Sequence, residues 1–440
     1  MTGPSTGRIA RLELRRSAAA VVAVLTFAAG TALLLTFPQG FAGRWLQLAV
    51  ALRLLLMFLF PVALAGGAAL GRREAAAGVG ELFASTPRPR GQRMLVTAGV
   101  LAAALVGAYA LTFLVALAWV LPRAGYFPPA APAVTAVGAL ALVAGGWIGL
   151  AAGRAVPRFV TAPVLAVLGV AVAGMLPQWV ALAPGRGEAP AALLLSPVYS
   201  GSLDDFQTVS ARVSLVQALW LAALAATGLL LATARRRTVA PALLPAVLGA
   251  AVAVPLLPPG GYAAAAAYDP RAVELVCDDA GPQVCVTRVH AALLPDIAGP
   301  VRAALATLAA TMPGAPARAV ETRRPAYGTG PADPPHDAAT LVFAAPPIGA
   351  DGRADLRDGS FPGLVLGAAW EQSCDPAPAD AFDGRELAVA WLTGTPPGAR
   401  LAGAYAALRA RPEDEQRRLV LAARDGVLAC RPDAFAGLTT

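Results

Sequence analysis

Long apolar runs alternate with short arginine-bearing breaks through the first 258 residues. Seven runs reach the ~20 apolar residues that a membrane-crossing helix needs. They cover roughly 17–37, 45–70, 94–121, 132–152, 159–182, 214–233 and 240–258. Inside hydrocarbon a backbone must satisfy its own hydrogen bonds, which predicts helix for all seven. Pro61, Pro163, Pro177 and Pro245 interrupt the runs, as a bundle tolerates when neighbours supply the missing bonds. The first run exceeds the apolar core of a cleaved leader and is expected to stay as a span.

The pattern changes after residue 260. GYAAAAAYDP (261–270) reads as a tether. Two β-prone runs flank Asp278–Asp279–Ala280–Gly281–Pro282, the signature of a hairpin turn. Residues 290–312 read mostly as helix with breaks at Pro295 and Pro300, and the Pro/Gly-rich 313–337 as loop. Strands are expected at 341–347 and 363–370, either helix or strand at 386–394, and helix over 412–430 behind Pro412 and three acids. The predicted architecture is an α-helical polytopic membrane bundle of about seven spans, followed by a small disulfide-bonded α+β extracytoplasmic domain. Its divisions are a six-span region 1–237, a seventh span within 238–260 and an outer domain 261–440.

Composition and charge sharpen this division. A chain that is 57% hydrophobic and 14% charged has the composition of a membrane protein. All 35 cationic side chains are arginine, and residues 1–262 carry 19 of them against six acids, Glu13, Glu74, Glu81, Glu188, Asp204 and Asp205. Residues 263–440 carry 16 against 21 acids. The basic excess sits between apolar runs, so it argues against a nucleic-acid partner. Fourteen arginines fall in one alternating set of loops (8–16, 72–93, 154–158 and 235–237), and only Arg44, Arg123, Arg186 and Arg212 in the other. The positive-inside rule then predicts a cytoplasmic N-terminus in the plasma membrane and an extracytoplasmic C-terminal domain. Arg53 lies inside the second run near its outer end. There a guanidinium either snorkels to the lipid headgroups or faces an anion in a pathway.

Candidate chemistry is sparse. Cys277, Cys285, Cys374 and Cys430 are an even set in an oxidising compartment, which predicts two disulfides. The favoured pairing is 277–285 and 374–430. A zinc site using Cys277, Cys285, His290 and His336 is the weaker alternative, because no compact ligand spacing is present. Metal and cofactor are therefore expected to be absent. Without lysine there is no P-loop and no Schiff-base chemistry. HExxH is missing as well, and there is no GxSxG nucleophile elbow, because the match at Gly3–Gly7 has no strand-forming run before it, so enzymatic activity is not expected. The spans carry no carboxylate of the kind that proton- or sodium-coupled transporters use.

The loop 72–93 carries the one recognisable pattern. Val79, Leu82 and Phe83 fall on one face of a short predicted helix that Pro87 ends, with Glu81 on its flank and arginines at both ends. Residues 81–88 read Glu-Leu-Phe-Ala-Ser-Thr-Pro-Arg. With Ser85, Thr86 and Pro87 in place, this resembles the cytoplasmic coupling segment of ABC-2-type transporter permeases. RIARLELRR (8–16) resembles that family's interfacial helix, and the longer loop 183–213 falls where the family has a membrane-dipping hairpin. The resemblance covers residues 1–237. The seventh span and outer domain depart from the family plan; residues 261–440 look like C-terminal regions of uncharacterised actinobacterial membrane proteins, which implies no activity. The resemblance implies the permease subunit of an ABC-type exporter, energised by a separate P-loop ATPase on 72–93. It also implies contact with membrane lipid and pairing with a second copy or a sister permease. The other reading is a non-transporting receptor or regulator whose outer domain binds a ligand or protein.

Overall fold

The computed structural model describes residues 18–76, 90–181, 190–201, 203–234, 238–325, 338–372, 374 and 378–439. Two compact units make up the chain: Met1–Pro122 with Phe127–Tyr268, and Arg123–Tyr126 with Asp269–Thr440.

The first unit is helical. Its apolar helices are α1 (Ala18–Leu34), α2 (Trp45–Ala76), α3 (Arg90–Val120), α4 (Ala130–Ala155), α5 (Thr161–Gly169), α6 (Leu176–Ala181), α7 (Ala211–Thr233) and α8 (Leu244–Leu256). A π-helical stretch, Val170–Met175, joins α5 to α6. The short helix Val239–Ala242 leads into α8. Among the described residues, six helices are long and apolar enough to cross a membrane. Five belong to this unit; the sixth, Arg288–Thr311, has the lowest mean hydropathy, 1.2, and lies in the second unit. Large apolar side chains point outward from the helical unit, among them Val167 on α5, Val172 in the π-helical stretch, and Leu215, Val247 and Leu248. Such an exterior suits lipid rather than water. The chain is a multi-pass membrane protein.

Small residues set the packing of α2 against α4. A Cβ on Gly67 would lie 2.0 Å from the Gly146 carbonyl oxygen, and one on Gly149 would lie 2.0 Å from that of Leu64. Gly71 and Gly153, one turn further on, are in the same position against Leu150 and Ala68. This is the small-xxx-small spacing that lets two backbones touch where lipid gives no hydrophobic drive for association.

One expectation fails here. Residues 261–268 are no tether: they form α9 (Gly261–Ala265) and strand β2 (Ala266–Tyr268), which pairs antiparallel with β1 (Gln207–Val209). The alanine run hid this, because it carries neither alternation nor a turn residue. The loop after α6 is also more than a connection. Its stretch Ala191–Leu195 forms a 3-10 helix, and Leu194 and Tyr199 join a buried cluster with Val213, Val216 and Ala253.

The second unit is α+β. Strands β3 (Leu275–Asp278), β4 (Val284–Thr287), β5 (Arg318–Glu321) and β6 (Thr340–Phe343) form one sheet in that order. The predicted hairpin is β3–β4, with Cys277 opposite Cys285. β4, β5 and β6 run parallel to one another. α10 (Leu294–Thr311) bridges β4 to β5 and buries Ile297, Val301, Leu305 and Leu308 against the sheet. It also tolerates Pro295 in its first turn and Pro300 inside it, where breaks were expected.

β5 lies in a stretch read as loop. Four residues between Pro316 and Pro325 are too few to show alternation, and only pairing on both sides makes them a strand. The expected strand 363–370 is instead α11 (Phe361–Gly367) followed by a 3-10 turn through Trp370. Pro362 sits at the helix start, where a missing N–H costs nothing. The ambiguous 386–394 is helix, within α12 (Ala381–Thr393). α13 (Ala402–Arg409), α14 (Glu413–Leu428) and α15 (Ala436–Thr439) complete the unit. α14 is the helix expected from Pro412 and its acidic first turn.

Candidate functional site

The loop residues Val79, Glu81, Leu82, Phe83, Ser85, Thr86 and Pro87 lie outside the described residues, as does His336. Arg53 and the four cysteines are described, and each has a definite environment.

Arg53 does not snorkel. It projects from the N-terminal part of α2 and is only 1% exposed. Its Nε donates to the Pro197 carbonyl at 3.0 Å, and Nη1 and Nη2 each donate to Gln217 Oε1 at 3.3 Å. Gln217, on α7, donates its own amide to the Leu194 carbonyl at 2.8 Å, which fixes its oxygen toward the guanidinium. No carboxylate pairs with Arg53 among the described residues. Tyr109, Tyr199 and Tyr262 lie near it.

The segment 190–201 is built to present this environment. The Ser196 hydroxyl donates to the Ala173 carbonyl in the π-helical stretch at 2.9 Å. A π-turn leaves carbonyls unmatched by the α pattern, and Ser196 takes one of them. The Trp220 indole donates to the Leu195 carbonyl at 3.1 Å. Tyr262 Oη reaches the Val198 carbonyl at 3.3 Å, and its ring meets Tyr199 edge-on at 5.2 Å. Non-helical backbone is thus buried with its carbonyls occupied, the condition under which an apolar bundle accommodates it.

Two tyrosines around Arg53 differ from the third. Tyr109 on α3 and Tyr199 are 2% and 1% exposed, and both hydroxyls lack a hydrogen-bond partner. Gly138 on α4 makes room for Tyr109 and Arg53: a Cβ there would lie 2.2 Å from the Tyr109 hydroxyl and 3.1 Å from Arg53 Cδ. Sequence reasoning singled out Arg53 and overlooked Gln217, Tyr109, Tyr199, Tyr262 and Gly138. Counting only ionisable groups in the apolar runs hid the uncharged polar ones; Gln217 and Tyr109 are the visible signal, since each interrupts an otherwise apolar run.

In the second unit the cysteines pair as favoured, Cys277 with Cys285 and Cys374 with Cys430. This removes the zinc alternative, and among the described residues no three metal-ligating side chains cluster. His290 instead meets Glu321, its Nδ1 2.5 Å from Oε1. Glu321 Oε2 accepts from the Thr287 N–H at 2.7 Å and the Thr287 hydroxyl at 2.9 Å. This buried group ties the ends of β4 and β5 together. A cleft of about 670 Å³ opens beside Pro295, with Asp296, Asp351, Arg353, Asp355 and Arg357 on its walls. Arg353 donates to Asp296 and holds its carboxyl below the usual carboxylate range. Arg357 does the same for Asp355, down to about 2.

Comparison with known proteins returns no match: no family model, no characterised protein and no solved structure aligns with this chain.

Proposed function

We propose that this chain is the membrane subunit of an ABC-type exporter, with seven spans, its N-terminus in the cytoplasm and residues 261–440 outside the plasma membrane. A separate P-loop ATPase docks on the loop 72–93, and the chain works as a homodimer or with a sister permease. One observation carries the reading: a guanidinium is buried inside an apolar helical unit with donors to spare and, among the described residues, no carboxylate paired with it. A charge kept at such cost inside a membrane bundle marks a substrate pathway by default. The spans also lack the carboxylates of ion-coupled carriers, so the energy comes from elsewhere. The arginine-flanked apolar face of Val79, Leu82 and Phe83 is the feature that requires a cover.

Leu82→Asp and Phe83→Asp are expected to abolish co-purification with the ATPase while membrane insertion persists; ATPase capture by both variants overturns the reading. Topology is tested by alkaline phosphatase fusions, active after Leu257 and inactive after Arg237. The cleft walled by Asp296 and Arg353 favours the second reading, a non-transporting receptor whose outer domain binds a ligand. Ligand binding by a chain that captures no ATPase would select it.

A further inference from the structure

Arg53 carries five N–H donors, and three hydrogen bonds engage it. One donor on each terminal nitrogen is left. The hydroxyls of Tyr109 and Tyr199 are also without partners, and both residues are almost fully buried. Four donors therefore surround a net positive charge, and the acceptors that hold Arg53 are a carbonyl and an amide, both neutral. Buried donors are normally satisfied, and a buried cation is normally paired. Leaving all of them open at one place means that the missing partner is a group that arrives.

We infer that Arg53, Tyr109 and Tyr199, with Gly138 admitting Tyr109 and Arg53 so close to α4, form a receiving site for an oxyanion, the carboxylate or phosphate group of a transported molecule. The word "transported" rests on the permease reading; the site itself does not. An oxyanion fits on two grounds. Its oxygens accept from a guanidinium fork and from hydroxyls, and its charge offsets that of Arg53. A cation would meet repulsion, and a neutral amide would leave the charge uncompensated. The site is closed to solvent here, so ligand enters only when the helices around α2 part. Two sources carry this chemistry, a lipid headgroup and a free organic anion.

The test uses the full chain purified in phosphate-free detergent. In one arm inorganic phosphate is titrated and thermal unfolding is followed. In the other, the protein is incubated with phosphatidylglycerol and bound lipid is counted by native mass spectrometry. Saturable stabilisation by phosphate supports a free anion; stoichiometric retention of phosphatidylglycerol supports a headgroup. In either case Arg53→Gln abolishes binding, and Tyr109→Phe and Tyr199→Phe each weaken it by roughly tenfold or more. The tyrosine variants keep the test valid if Arg53→Gln does not fold. Removing a hydroxyl that bonds nothing leaves the ligand-free unfolding temperature unchanged or raised, so a purely structural role predicts no loss of binding. Neither probe binding, or binding indifferent to the tyrosine variants, overturns the site. ATPase capture is read separately through Leu82 and Phe83. A chain that binds phosphate and no ATPase keeps the site and loses the transport reading; the converse loses only the site.

Discussion

In the helical unit α2 and α4 meet backbone to backbone at Gly67 and Gly149, whereas the second unit joins its elements with two disulfides and charged pairs. Arg288 meets Glu274, Arg302 meets Asp278, and Arg385 meets Glu371 there. The contrast follows from the surroundings. Lipid makes burial of another leucine worthless as glue, so close packing between small residues does the work. Water makes apolar burial profitable, and covalent links then limit the unfolded chain. The same contrast applies to polar groups. The second unit satisfies its buried Glu321 completely, while the first leaves two buried tyrosine hydroxyls open beside a guanidinium.

The largest expected effect breaks the first term of this comparison. Gly149→Leu drives a side chain into the Leu64 carbonyl, 2.0 Å from where its Cβ would sit. Main chain on both sides cannot yield as a side chain can. The variant is expected to lose the folded helical unit, at a cost above about 3 kcal/mol, seen as loss of the monodisperse peak in size-exclusion chromatography. A normal elution profile would show that α2 and α4 can separate freely.

The second unit depends instead on its longer covalent loop. Cys374 and Cys430 are 56 residues apart, against eight for Cys277 and Cys285. The chain-entropy model gives about 4 kcal/mol for the first and about 2.5 for the second. Cys374→Ser should therefore raise hydrogen exchange across 413–428 far more than Cys277→Ser does. Cys430 adds a refinement. It adopts φ 50° just past α14, where its N–H donates to the Val427 carbonyl and the Arg431 N–H to that of Gly426. This is a Schellman end whose left-handed position glycine normally takes. Cys430→Gly removes the same disulfide yet relieves ~1 kcal/mol of backbone strain. It should be milder than Cys374→Ser by about that amount.

How much of this was legible differs between the units in the same physical way. Apolar runs and cysteine spacing are local or compositional, and they foretold the helical bundle and both disulfides. Arg53 was visible because charge in an apolar run stands out. Its partners were not, since Pro197 is 144 residues away and Gln217 is 164. The strand Arg318–Glu321 was illegible for a related reason: only its neighbours on both sides make it a strand. Phe361–Trp370 misled because an apolar run of ten looks alike in both periods until packing selects one.

A smaller effect sharpens the contrast in polar satisfaction. Glu321→Leu leaves the Thr287 N–H, the Thr287 hydroxyl and His290 without their shared acceptor. The expected cost is about 3 kcal/mol, read as a lower unfolding temperature of the second unit. Tyr109→Phe in the helical unit should cost nothing without ligand. Equal losses at the two positions would erase the distinction between a completed network and a waiting one.

The smallest expected effect is a dependence on acid confined to the second unit. Arg353 holds the Asp296 carboxyl below the ordinary value, mainly by hydrogen bonding, with the Ala354 N–H adding to it. The Ala280 N–H with Arg302 does the same for Asp278, and Arg357 for Asp355. A carboxyl depressed on folding stabilises the native state above its unfolded pKa of about 3.9. That contribution disappears as pH falls through the lowered folded value. These groups therefore add nothing to pH dependence between about 5 and 8; their loss begins as pH falls below about 4 and runs through each lowered folded value, about 2 for Asp355. Arg353 is largely exposed, so solvent screening keeps the Asp296 contribution under about 1 kcal/mol. Arg353→Met removes the partner and should flatten the acid limb of unfolding temperature against pH for the second unit. It should leave the neutral plateau nearly level with wild type. A variant whose acid limb stays as steep as wild type would show that Asp296 is not among the carboxylates that acid must protonate.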